Sequence, residues 1–117
     1  MELEWKEPII IPDGKHTGEI VKIVYRDEPY EYTDIVIKID GIDIELKYGC
    51  PTILSEGSKL GRLMQMFGVE AKSGTKINPE TALVNKKVEF MTLMKKNKDG
   101  REYAEVVADS IKPVKIS

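Results

Sequence analysis

One cysteine, one histidine and one tryptophan occur in 117 residues, and each scarcity closes off a class of proteins. The lone Cys50 has no partner for an internal disulfide, which points to a reducing, cytoplasmic setting. His16 has no second histidine to complete a zinc site or an acid–base pair. No run of apolar residues is long enough to span a membrane, and no basic segment followed by an apolar stretch opens the chain. The glycines Gly57, Gly61, Gly68 and Gly74 match neither phosphate-cradling pattern, G-x-x-x-x-G-K-[ST] or G-x-G-x-x-G. Catalysis, a metal and a cofactor are therefore not expected. Cys50, placed before a proline at a strand end, reads as an inert buried thiol. Met64, Met66, Met91 and Met94 read as core filler.

The length suits one domain over 1–117, with an extended lead-in over 1–14 and a short tail over 114–117. Trp5 in the lead-in is expected to pack on the domain. The net charge of −2 conceals an asymmetry: Met1 to Cys50 holds 12 acidic against 6 basic residues, and Pro51 to Ser117 holds 8 against 12. A polyanion is better received by the second half.

Two Asp-Gly dipeptides, Asp40-Gly41 and Asp99-Gly100, sit between β-rich runs. The first predicts a two-residue type I′ turn that sets Ile39 opposite Ile42, Ile37 opposite Ile44, Ile35 opposite Leu46 and Thr33 opposite Tyr48. That register gives one apolar face. It also gives two opposite-charge pairs on the other face, Lys38 with Asp43 and Asp34 with Lys47, worth about 0.2–1 kcal/mol each. A first strand over Gly18 to Tyr25 precedes this hairpin, joined to it by a loop at Arg26 to Pro29.

Leu60, Leu63, Met64 and Phe67 recur at helical spacing, with Ser55 or Ser58 to cap the start and Gly68 to stop the helix. Asn78-Pro79-Glu80 opens one further turn through Leu83. Val69 to Ile77 reads as a surface loop. The second hairpin joins Val88–Met94 to Tyr103–Ile111 in one of two registers. A type I′ turn aligns Leu93 with Val106, and a type I turn with a Gly100 bulge aligns Thr92 with Val106.

Strand, strand, strand, helix, strand, strand is the element order of a small five-stranded barrel, mainly β, with one helix between the third and fourth strands. Lys95, Lys96, Lys98 and Arg101 surround the tip of its last hairpin. Arg26, Tyr30 and Tyr32 lie around the loop between the first two strands. Tyr30 and Tyr32 share a face with Lys38 and Lys47, and Tyr103 joins the candidates if the second register turns it outward.

With Tyr30-Glu31-Tyr32-Thr33-Asp34-Ile35, Cys50-Pro51, Ser58-Lys59-Leu60-Gly61, Leu83 to Phe90, Glu102-Tyr103-Ala104 and Ile111-Lys112-Pro113, the chain resembles the oligonucleotide/oligosaccharide-binding (OB) barrel family. Within it, the chain resembles single-stranded-DNA-binding proteins of phage and prokaryotic type. The resemblance spans about Gly14 to Pro113. It implies sequence-independent binding of single-stranded DNA, or RNA, in replication or repair. Tyr30 and Tyr32 would stack bases, with Tyr103 as a further candidate, while Arg26, Lys38, Lys47, Lys95, Lys96, Lys98 and Arg101 would track phosphates. An assembly subunit using the same barrel to bind protein partners, or copies of itself, is the other reading left open.

Overall fold

The computed structural model describes residues 1–3, 11–70, 72–74 and 76–114. Trp5 and the final residues 115–117 lie outside that range. Along the described chain run β1 (Gly14–Arg26), β2 (Tyr32–Ile39), β3 (Glu45–Pro51), α1 (Lys59–Met66), α2 (Pro79–Leu83), β4 (Lys87–Lys96), β5 (Glu102–Val106) and β6 (Lys112–Pro113). The strands form one antiparallel sheet in the order β3-β2-β1-β4-β5, with β6 paired to β4. This is the expected mainly-β architecture, a partly open OB barrel. Its end strands β3 and β5 pack side by side without a ladder between them.

Ile20, Ile35, Ile37, Ile39, Tyr48, Val88 and Phe90 project inward, and α1 closes the core with Leu60, Leu63 and Met64. Ser58 caps α1 by accepting from the Gly61 N–H, and Asn78 caps α2 by accepting from that of Glu80, as the capping residues predict. Met66 and Met91 are exposed, against the expectation of core filler, because each lies on the outward side of its element.

The first hairpin differs from its predicted register by two residues. Ile37 stands opposite Leu46, Ile35 opposite Tyr48 and Thr33 opposite Cys50. Of the two turn residues only Gly41 has positive φ (+78°), whereas a type I′ turn requires it at both. The chain instead takes a wider connection, in which Ile39 accepts from the Ile42 N–H (3.4 Å) and donates to Ile44 (3.2 Å). An even shift preserves which side chains face the core. It does replace the charge pairs: Lys38 now stands across from Glu45, and Asp34 across from Gly49.

The second hairpin takes the bulged alternative, with Thr92 opposite Val106 and Gly100 at φ +79°. The Asn97 side chain accepts from the backbone N–H groups of Asp99 and Arg101, at 3.0 Å each, which locks that turn. β5 ends at Val106 rather than continuing to Ile111. A turn at 107–110 intervenes, with Asp109 at φ +63°, before β6 pairs with Val88 and Glu89.

Candidate functional site

A register break in β1 builds the outer face of β1, β2 and β3. Ile20 pairs with Ile37 and faces the core, so simple alternation would bury Lys22 as well. The break between Ile20 and Lys22 resets the alternation, and Lys22 pairs with Val36 on the outside. Reading across the three strands, the outward rows are Glu19–Lys38–Glu45, Lys22–Val36–Lys47, Val24–Asp34–Gly49 and Arg26–Tyr32–Pro51. Lys22 was not among the sequence candidates. The signal for it was the pair Ile20 and Lys22, two residues of one parity and opposite character.

Some surface lysines are paired with carboxylates and others are not. Lys15 and Lys112 hold Glu89 at 3.3 and 3.1 Å, and their hydrogen bonds keep its carboxyl below the usual range. Lys87 reaches Glu19 (3.6 Å) and Asp40 (3.8 Å). Where β1, β4 and β6 adjoin, then, Lys15, Lys87 and Lys112 are held by carboxylates. Lys22, Lys38 and Lys47 form no such ion pair among the described residues, although Lys38 stands between Glu19 and Glu45 in register. In register Lys22 and Lys47 flank the buried Val36, and Lys38 lies two residues along from it on the same face.

At the far end of this face Arg26 is committed to Asp34. Its Nε donates to Oδ2 at 2.6 Å and its Nη2 to Oδ1 at 2.9 Å. The Asp34 side chain is only 5% exposed and that of Arg26 42%. The same guanidinium lies over the Tyr32 ring, 5.2 Å from its centroid. Gly49 leaves space for the pair, since a Cβ there would stand 3.2 Å from Asp34 Oδ1 and 3.9 Å from Arg26 Nη2. The aspartate holds the guanidinium pKa above its ordinary value. Tyr32 is therefore a capped ring, while Tyr30, in the adjoining loop, is bare and 73% exposed.

The remaining candidates lie elsewhere. Lys95 and Tyr103 face each other across β4 and β5, outward beside Met91 and Leu93, and Lys96 is 3.9 Å from Glu102. Lys98 and Arg101 sit on the exposed turn and its flank. This hairpin extends beyond the Gly14 end of β1, which pairs with Thr92, whereas Arg26, Tyr30 and Tyr32 gather at the Arg26 end. The thirteen residues of β1 separate the two groups, about 40 Å along the strand. Lys38 and Lys47 belong to neither and lie on the face between.

His16 donates to the Pro12 carbonyl at 2.7 Å and packs 6.0 Å from the Phe90 ring, a structural placement. Burial pushes the Cys50 thiol up to about 11, which keeps it protonated and unreactive at neutral pH. Among the described residues, no group of three or more His, Cys, Asp or Glu side chains is placed to hold a metal ion. No helix among them is long and apolar enough to cross a membrane. No protein-family model matches the chain, and no curated protein matches it either.

Proposed function

We propose that the chain is a single-stranded nucleic-acid-binding module, DNA being the favoured ligand, that seats the strand on the outer face of β1, β2 and β3. The observation that carries this reading is the gathering of three unpaired cations on one sheet face. Among the described residues Lys22, Lys38 and Lys47 are left without ion-pair partners on one outer face, while Lys15, Lys87 and Lys112 are paired with carboxylates. Three ammonium groups on one face attract a phosphodiester backbone, and the exposed Tyr30 supplies a surface on which any base stacks. Lys95, Lys98, Arg101 and Tyr103 extend the cationic and aromatic surface along the last hairpin.

A titration of intrinsic fluorescence with oligothymidylate, at low and moderate salt and with duplex DNA as control, tests this. Salt-sensitive binding of the single strand is expected. Lys22→Glu and Lys47→Glu should each weaken it and reduce the salt slope by about 0.7. Lys112→Glu, on the neutralised face, should change it little. Absence of salt-sensitive binding removes the reading.

The exposed Met91, Leu93 and Tyr103 on the outer side of β4 and β5 favour a second reading, a subunit that docks a protein through this patch. Concentration-dependent association that Leu93→Lys abolishes, with no binding of oligonucleotides, would favour it over the first.

A further inference from the structure

We infer that Arg26 is a base-reading residue that selects guanine at one position of the bound strand, and that Asp34 positions it. This deepens the single-strand reading above and rests on it.

A guanidinium carries five N–H donors in a rigid plane. Asp34 takes two of them, Nε–H and one N–H of Nη2. The other three have no partner among the described residues, and two of these, one on each Nη, point the same way as a second fork. Arg26 has two partners before any ligand arrives: Asp34 holds one edge of the guanidinium, whose carbon lies over the Tyr32 ring, 5.2 Å from its centroid. Holding it there removes most of the rotamer entropy that a free arginine loses on binding.

Charge decides what the second fork takes. The Asp34 carboxylate lies in contact with the guanidinium and nearly buried, so the positive charge offered to a phosphate is offset by a negative one just behind it. What remains is short-range geometry, two parallel donors that fit two adjacent acceptors. Guanine presents O6 and N7 side by side; adenine pairs N7 with a donor, and thymine offers O4 beside a methyl group. An unpaired strand leaves that edge of guanine open. Cytosine offers N3 and O2 on its other edge, but a purine covers more of the surface of Arg26, Tyr32 and Pro51.

The test is a competition titration with a short oligothymidylate whose central residue is replaced by dG, dC, dA or 7-deaza-dG. The dG oligomer should bind about 5- to 100-fold more tightly than the all-thymidine strand, the range of one bidentate base contact. The 7-deaza-dG oligomer, lacking one acceptor, should lose most of that gain. Arg26→Lys keeps the charge and removes the fork, so it should erase the dG preference, read as the ratio of dG to all-thymidine affinity within the variant. Asp34→Asn should erase the same ratio, because the arginine loses the carboxylate that holds its edge. Arg26 sits at an exposed strand end, so Arg26→Lys decides the matter even if Asp34→Asn fails to fold.

Equal binding of dG and all-thymidine strands by the unaltered protein overturns the inference and leaves the single-strand reading intact. So does tighter binding of dC than dG, or a dG preference that survives Arg26→Lys. If no oligonucleotide binds at all, the single-strand reading fails and this inference fails with it.

Discussion

The Tyr48 hydroxyl accepts a hydrogen bond from the backbone N–H of Asp109 at 3.2 Å, spanning the place where β3 and the chain after β5 meet without a ladder. Arg62 on α1 reaches the same aspartate, at 2.9 Å, so helix, strand and turn converge on one residue held at positive φ. The ion pair is half exposed and contributes little. The hydroxyl matters more, since its loss leaves an inward-turned N–H without a partner. Tyr48→Phe should lower the unfolding free energy by about 1–2 kcal/mol in a urea titration, with the m-value unchanged. An unaffected midpoint would show that packing alone closes this side of the barrel.

The last hairpin carries cations that serve no structural purpose in the fold. Reversing Lys95, Lys96 and Lys98 to Glu should leave the thermal midpoint nearly unchanged, since these side chains are exposed and, among the described residues, only Lys96 has a carboxylate within ion-pair distance. Single-strand affinity should fall, and the salt slope should flatten by about 0.7 for each phosphate that a lysine no longer neutralises. Unaltered affinity would confine the strand to the β1–β3 face.

How much of this was legible beforehand follows from the range of each interaction. The first hairpin's inward residues were correctly identified even though its register was two residues off, because side-chain alternation survives an even shift. Asp34 was assigned to Lys47 and is instead held by Arg26, a consequence of that same shift, which sets Gly49 rather than Lys47 across from it. Local sequence could not choose the second hairpin's register, for the chosen one points Thr92 inward and Met91 and Leu93 out. What makes that tolerable is a hydrogen bond from the Thr92 hydroxyl to the Pro12 carbonyl (3.1 Å), eighty residues away in the chain. Lys22 was hidden by a register break, which is set by the pairing of two strands and not by either alone.

Gly61, inside the first turn of α1, is a position where the helix preference of alanine should lose to steric contact. A Cβ there would collide with the Ser55 carbonyl oxygen, in the capping loop that Ser58 closes by donating to that same oxygen at 3.0 Å. Alanine in a helix gains about 1 kcal/mol over glycine. Displacing the capping loop should cost more, so Gly61→Ala is expected to destabilise the protein by about 1–3 kcal/mol. Ser58→Ala should cost about 1 kcal/mol through loss of the cap alone. Chemical denaturation of both variants measures this, and a more stable Gly61→Ala protein would contradict it.

Cys50 makes stability fall in alkali. Its thiol has an ordinary value of 9.0 and is pushed up to about 11 by burial against the core, so between those values the unfolded chain releases a proton that the folded chain retains. The unfolded state then binds fewer protons than the native one, and the unfolding free energy declines as pH rises. This contribution is complete below about pH 9 and is lost as pH approaches 11, a loss of about 2–3 kcal/mol at 1.36 kcal/mol for each unit. Burial raises Tyr48 as well, which adds to the slope in the same direction. Urea midpoints at intervals from pH 8 to pH 11 should show the decline. Cys50→Ala should start from lower stability, because a buried side chain has been cut back, yet fall less steeply over this interval. Equal slopes for the two proteins would mean that the thiol ionises as readily in the folded chain as in the unfolded one.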